Sequence, residues 1–180
     1  MASIITATTT SGLTQSADNS GVLQLASGTG NLVTVPSVTG TAMVSGNMPT
    51  FSAYQSSAQT LSSTTFTKLT FTSTDWDTTG GMYSSSRFTP TVAGYYIITG
   101  AFEIASSTTP MILRIYKNGS AFKNCSNTNP NSCTSLMASA MVYLNGSSDY
   151  VELYGWVGTG QALQTGSNLT YFQAAMIRSA

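Results

Sequence analysis

Apolar and polar residues alternate along this chain with the two-residue period of β-strands, and no stretch shows the period of a helix. The pattern is densest in residues 87–102, RFTPTVAGYYIITGAF. The first part can pair as a short strand, Pro90 and Gly94 interrupt the run, and an apolar stretch fills residues 95–102. Successive side chains point to opposite faces of a strand, so Tyr96 and Ile98 face one way while Tyr95 and Ile97 face the other. Both faces are apolar. A sheet with one wet face shows clean apolar and polar alternation, so this run predicts a strand that is covered on both sides. The remaining sequence must supply a second sheet and a further partner surface.

Strand-sized runs separated by turn signals recur from residue 48 onward, at 50–54, 66–71, 83–89, 94–105, 111–117, 136–144, 150–157 and 171–178. Eight runs at this spacing predict two sheets of four in a sandwich or barrel. Asn118-Gly119 and Asn145-Gly146 each stand between apolar runs, and both residue types tolerate positive φ, so each pair predicts a tight hairpin. Residues 1–47 differ: they hold no aromatic residue and one charge, Asp18. Val22-Leu23-Gln24-Leu25 and Leu32-Val33-Thr34-Val35 read there as two brief strands around a Ser27-Gly28-Thr29-Gly30 turn. Such a segment cannot close a core, and it reads either as a floppy leader or as an arm that packs on neighbouring subunits. The expected organisation is an arm over residues 1–47 and a head over residues 48–180.

Composition narrows the function classes. Six basic and six acidic residues make up 7% of the chain and there is no His, which leaves no electrostatic footprint for nucleic acid or an anionic membrane. A hydrophobic content of 41% with 10% aromatics is too rich for a disordered chain, and the wealth of Thr, Ser, Gly, Val and Tyr favours strands. The N-terminus lacks the basic and apolar regions of a signal peptide, and no stretch approaches the ~20 apolar residues of a membrane-spanning helix. The expectation is assembly in a cytosol.

Candidate chemistry is sparse. Without His, the many Ser and Thr hydroxyls lack the usual activating base, so no catalytic residue, cofactor or metal is expected. Asp75 and Asp77 flank Trp76 in a predicted loop and are the candidate ligand site, as oxygen ligands or as a carboxylate pair beside an aromatic platform for sugar; solvated acids capping turns are the plainer reading. Cys125 and Cys133 sit in a polar loop, where a staple would contribute about 2–3 kcal/mol in an oxidising medium. The sequence leaves that pair open between thiols and a disulfide. Two Cys fall short of a four-ligand metal site.

In residues 149–157, Val151 and Leu153 face one side, while Tyr150, Glu152, Tyr154 and Trp156 face the other. Three large rings on one face either pack beneath a loop of the same chain or line a subunit interface. Tyr95 and Ile97, Met141 and Tyr143, and Tyr171 repeat the pattern opposite presumed core positions. Apolar patches of this size are uncommon on soluble monomers, so Tyr95, Ile97, Tyr143, Tyr150, Tyr154, Trp156 and Tyr171 are the candidate interface.

The ordered motifs Phe88-Thr89-Pro90-Thr91-Val92-Ala93-Gly94-Tyr95-Tyr96, Tyr116-Lys117-Asn118-Gly119, Val142-Tyr143-Leu144-Asn145-Gly146 with Asp149-Tyr150-Val151-Glu152-Leu153, and Tyr171-Phe172-Gln173-Ala174-Ala175-Met176-Ile177 resemble the C1q-like globular head. The resemblance implies an all-β jelly roll of the C1q and tumour necrosis factor (TNF) type, preceded here by a short β-rich arm and assembled as a homotrimer around an aromatic axis. The chain departs from that pattern in Gly146-Ser147-Ser148-Asp149, two residues longer than the family turn, and in having no Gly-X-Y stalk. Residues 12–25, GLTQSADNSGVLQL, resemble leaders that precede C1q-like heads in tailed-bacteriophage virion proteins. That likeness implies a virion protein assembled in the host cytoplasm. The expected function is a capsid decoration or cement trimer that holds the major capsid protein or another virion protein through residues 1–47. The alternatives are the receptor-binding tip of a tail or head fibre, with stretches 73–86, 120–135 and 158–167 touching host surface glycans, and a secreted C1q-like recognition module.

Overall fold

The structure, a computed structural model of the chain, describes residues 23–26, 32–35, 48–78, 80–106, 109–129 and 133–180. Contacts divide the chain into two units, Met1–Thr41 and Ala42–Ala180. In the first, β1 (Leu23–Ala26) pairs antiparallel with β2 (Leu32–Val35), Leu23 opposite Val35. Both strands read from the apolar pairs form, and the turn expected between them lies outside the described residues.

The second unit is a sandwich of antiparallel strands. One sheet has five strands, β3 (Thr50–Tyr54), β6 (Ser73–Asp77), β9 (Gly94–Glu103), β12 (Ser135–Leu144) and β15 (Tyr171–Ser179), in the order β12-β9-β15-β3-β6. The other has six: β7 (Tyr83–Ser84), β8 (Arg87–Phe88), β10 (Met111–Lys117), β11 (Ser120–Asn127) and β13 (Val151–Val157) in the order β11-β10-β13-β8-β7, with β5 (Thr67–Lys68) also paired to β13. A ribbon of β4 (Thr60–Leu61) and β14 (Gln161–Ala162) lies beside them. The expected two sheets of four are thus five and six. Besides the β4–β14 ribbon, the strands missed are β6 (STDWD) and β11 (SAFKNCSN), sheet edges whose residues are mostly exposed, so they need no apolar alternation to be stable there.

β9 organises the head as its pattern requires. It pairs over ten residues with β12, from Ser135 opposite Glu103 to Leu144 opposite Gly94, and on its other edge with β15. Tyr96, Ile98 and Phe102 are fully buried between the sheets, while Tyr95 and Ile97 point outward. The Tyr96 hydroxyl donates to the Val92 carbonyl at 2.6 Å, and burial pushes its phenol up to about 12. Phe51 is the hub of the core. Its ring lies 4.3 Å from Tyr83, 5.1 Å from Phe88 and 5.0 Å from Phe172, so β3 is fastened to β7 and β8 across the sandwich and to β15 beside it. Each such ring pair adds about 0.5–1.5 kcal/mol beyond the area buried.

The two Asn-Gly pairs part company. Asn118 and Gly119 both take positive φ (52° and 77°) and turn β10 into β11, as their sequence predicts. Asn145-Gly146 makes no hairpin, because β12 and β13 belong to different sheets. Asn145 Oδ1 instead accepts the amides of Ser147, Ser148 and Asp149, each at 3.0 Å, and winds the chain into a crossover. Gly146 (φ 71°) lies so close to the backbone of Val92 and Ala93 that a Cβ would overlap it. The half-buried Cys125 and Cys133 carry free thiols packed against the core, so the staple weighed from the sequence is not formed in this structure. Their polar surroundings hid two inward-facing positions, and Cys133 Sγ accepts from Asn127 Nδ2 at 2.9 Å.

Gly146→Ala combines left-handed backbone with a backbone overlap, and is expected to lower stability by about 2 kcal/mol or more. Urea unfolding checks this; an unchanged midpoint would show that the crossover can move away.

Candidate functional site

The outward face of the five-stranded sheet carries most of the large apolar side chains left in water. β12 alternates strictly: Leu136, Ala138, Ala140, Val142 and Leu144 enter the core, while Met137 and Met141 stand 59% and 63% exposed, with Tyr143 beyond them. Register lines these up with β9, Tyr143 opposite Tyr95 and Met141 opposite Ile97, and the two tyrosine rings meet at 5.5 Å. The Tyr171 hydroxyl, on β15, donates to Met137 Sδ at 3.6 Å. Ile177 of β15 and Trp76 of β6 extend the patch. Of nine large apolar side chains exposed among the described residues, these seven share one sheet, and Met48 and Phe122 lie elsewhere.

The patch is uneven. A hollow of about 140 Å³ opens between Trp76, Ile97, Thr99 and Gln173. A wider one of about 370 Å³ lies at the sheet margin between Met48, Thr50, Thr78 and Ala175. Polar groups on this face satisfy one another: Thr99 and Ser139 hydroxyls share a hydrogen bond at 3.1 Å, and Gln173 donates to Ser52, which donates to Asp75 at 2.8 Å. Asp75, Glu103 and Arg178 on the same sheet keep their charges in partial contact with water and form no ion pair among the described residues.

The seven candidate interface residues divide between the two sheets. Tyr95, Ile97, Tyr143 and Tyr171 share the patch just described. Tyr150, at the entrance to β13, and Tyr154 and Trp156 within it belong to the opposite sheet, so one flat surface cannot hold all seven. The alternation of residues 150–156 reads correctly, but alternation does not say which sheet a strand joins. On that sheet the rings are half-covered by their own chain. Tyr154 packs on Tyr116 at 4.1 Å, Trp156 lies 6.4 Å from Phe66, and Arg87 covers Tyr150 at 3.9 Å. Met137, Ile177 and Trp76 are the members of the patch that the sequence reading missed, and Met141, noted beside Tyr143, was left out of the candidate interface; strict alternation in 135–144 was the available signal for the two methionines.

The expected ligand loop at Asp75, Trp76 and Asp77 is a strand. Those residues lie in β6, where a bulge opposite Ser52 and Ala53 accommodates Asp75. Asp75 is held by Ser52, and Trp76 looks onto the apolar patch beside Ile97. All three stretches expected to touch glycans hold strands: β6 and β7 lie in 73–86, β11 in 120–135 and β14 in 158–167.

The six-stranded sheet carries the ionic centre. Glu152 of β13 is 2% exposed on the outer side of that sheet, and its Oε1 accepts from Lys68 Nζ at 2.7 Å and from Arg87 Nε at 2.8 Å. Burial pushes the Glu152 carboxyl up, but the two hydrogen bonds and positive charges outweigh it and hold the group below its usual range. Asp149 is also held low, first by the Asn118 amide at 2.7 Å and then by Lys117 at 3.0 Å, against the opposing effect of burial. These contacts tie the β10–β11 turn to the crossover. Asp149 and Glu152 thus act as structural anchors.

No family model matches the sequence, and comparison with curated proteins finds no match either. Among solved structures the chain is similar to murine APRIL (TM-score 0.57, 10% identity, covering 72% of this chain and 99% of that one). It is similar to the globular domain of zebrafish complement 1qA (0.53, 18%, covering 73% and 99%) and to PRD1 vertex protein P5 (0.51, 15%, covering 72% and 97%). The head is therefore an all-β jelly roll of the C1q and TNF type, as its motifs predicted.

The ionic centre makes a testable statement. A carboxyl held below its unfolded value stabilises the fold at all pH above that value, near about pH 4.3, and the contribution is lost as pH falls through the folded value. Glu152→Gln should cost about 1–3 kcal/mol at neutral pH, nearer the lower figure because both cations are partly solvated. Wild type and variant should converge in chemical denaturation as the solution is acidified. A gap that persists in acid would mean that the carboxylate charge is not what matters.

Proposed function

We propose that the chain forms a structural homotrimer of a tailed-bacteriophage virion, a capsid decoration or cement protein whose head closes on itself through the outer face of the five-stranded sheet. Residues 1–47 are the part that grips the major capsid protein or another virion protein. The carrying observation is the concentration of seven exposed large apolar side chains on one sheet. They are already about half-buried, so covering the remainder contributes about 1 kcal/mol each, or on the order of 7 kcal/mol per protomer. That lies within the ~4–15 kcal/mol lost on association, so the packed hollows and polar contacts around the patch must supply the margin. Closure around a three-fold axis, which the C1q-like resemblance implies, uses the patch up and leaves no sticky end.

The similarity in fold to a protein described as a vertex protein, PRD1 P5, supports a virion setting. The leader-like residues 12–25 support attachment through the arm. With charge balanced at six against six and no His, the head offers buried area where an enzyme would offer acid and base, and we read it as non-enzymatic.

Met141→Glu places a charge at the most exposed point of the patch. It should reduce the particle from three subunits to one of 18.8 kDa in light scattering while leaving far-ultraviolet dichroism intact. A wild-type chain that already runs as one subunit would end the trimer reading. Deleting residues 1–47 should leave the trimer assembled and abolish its binding to virions. Imaging of virions separates the two virion roles: copies spread over the shell support decoration, and a few at the tail support a fibre tip.

A further inference from the structure

The outer side of the six-stranded sheet holds an open cavity of about 360 Å³ that lies across the core from the proposed interface, so trimer closure leaves it accessible. Lys68 and Arg87 stand on its wall, from two strands that both pair with β13. Both bind the same oxygen of Glu152, which is sealed beneath them. Two cations over one carboxylate leave an excess positive charge, and no acidic side chain lines the cavity. Arg87 uses only Nε on Glu152, and its guanidinium lies over the Tyr150 ring at 3.9 Å. Its two Nη groups have no acceptor among the described residues, and a pair of N–H donors of this kind matches an oxyanion.

The rest of the lining is hydroxyl and small apolar surface: Ser84, Ser85 and Thr89, with Met82 among them. The Ser85-Ser86 turn between β7 and β8 is unusual. Both residues take positive φ (51° and 59°), a conformation for which two-residue hairpin loops prefer Asn and Gly. Ser86 has a structural reason, since its buried Oγ accepts the Phe71 amide at 2.8 Å. Ser85 has no hydrogen bond among the described residues and faces the cavity. Residues held in costly backbone without a packing reason concentrate at binding sites.

We propose that this cavity binds the anionic group of an acidic saccharide, a carboxylate or phosphate borne on a sugar ring. The Arg87 fork and Lys68 take the oxyanion, and the Ser84, Ser85 and Thr89 hydroxyls take ring hydroxyls. The size favours a sugar over a bare ion: at about 30 Å³ per water the cavity has room for about a dozen, most of which a lone oxyanion would leave in place. The site goes beyond the trimer reading and does not depend on it.

The test is calorimetric and NMR titration of the full chain with methyl glucuronide, a glucose phosphate, neutral methyl glucoside and inorganic phosphate. One charged sugar should bind with a Kd of about 1 mM, weakening with salt, and the neutral glucoside should not bind. Preference between the two charged sugars assigns the source as a carboxylated or a phosphorylated glycan. Ser84→Asp, an exposed site away from Glu152, should weaken binding about tenfold or more with unchanged melting, and Ser85→Asp serves as the second variant. Failure of both charged sugars to bind, equal binding of the glucoside, equal binding of inorganic phosphate, or binding indifferent to both variants would overturn the proposal.

Discussion

A strand with large apolar side chains on both faces cannot be satisfied by one sandwich. β9 has this property, and the head is arranged around it. Tyr96, Ile98 and Phe102 find the opposite sheet, whereas Tyr95 and Ile97 find only neighbours on their own sheet and stay 41% and 42% exposed in the isolated chain. Register spreads the consequence: β12 and β15 flank β9, and their own alternation brings Met137, Met141, Tyr143 and Ile177 to the same side. A single pattern thus specifies both the core and the surface that a partner must cover.

The two sheets divide the work. The five-stranded sheet faces outward with most of the exposed large apolar side chains and with hydroxyl and amide groups that bond one another, which suits burial. The six-stranded sheet keeps the buried acid and its two cations on its outer side, and its rings are dressed by their own chain. Burying that second face against a copy would strip solvent from Lys68 and Arg87, which costs more than their shared carboxylate returns. The concentration of exposed apolar side chains therefore chooses between two aromatic surfaces that the sequence pattern treats alike.

Much of the fold was legible because the inner strands must alternate. β3 and β10 fall on the residues their runs predict, and β12 and β15 differ from theirs by one residue. The edges were not legible, since β6 and β11 are exposed and carry polar residues that read as loops. The site was half legible for a related reason. Periodicity tells which residues share a face of one strand, but sheet membership depends on pairings distant in sequence, so Tyr154 and Trp156 could not be separated from Tyr95 and Tyr143. Asn145-Gly146 shows the same limit at a turn. Local chemistry allowed a hairpin, and the side-chain cap on three amides together with the contact at Ala93 decided for a crossover.

Methionine oxidation tests the central claim most directly. Among the described residues of one isolated subunit Met141 and Met137 are the most exposed of the large apolar residues, at 63% and 59%, and Met48 is less so at 36%. Brief peroxide treatment of the native protein, read by peptide mass spectrometry, should show the reverse order, with Met137 and Met141 oxidised more slowly than Met48 because copies of the chain cover them. Oxidation that follows the order of the isolated subunit would contradict the account.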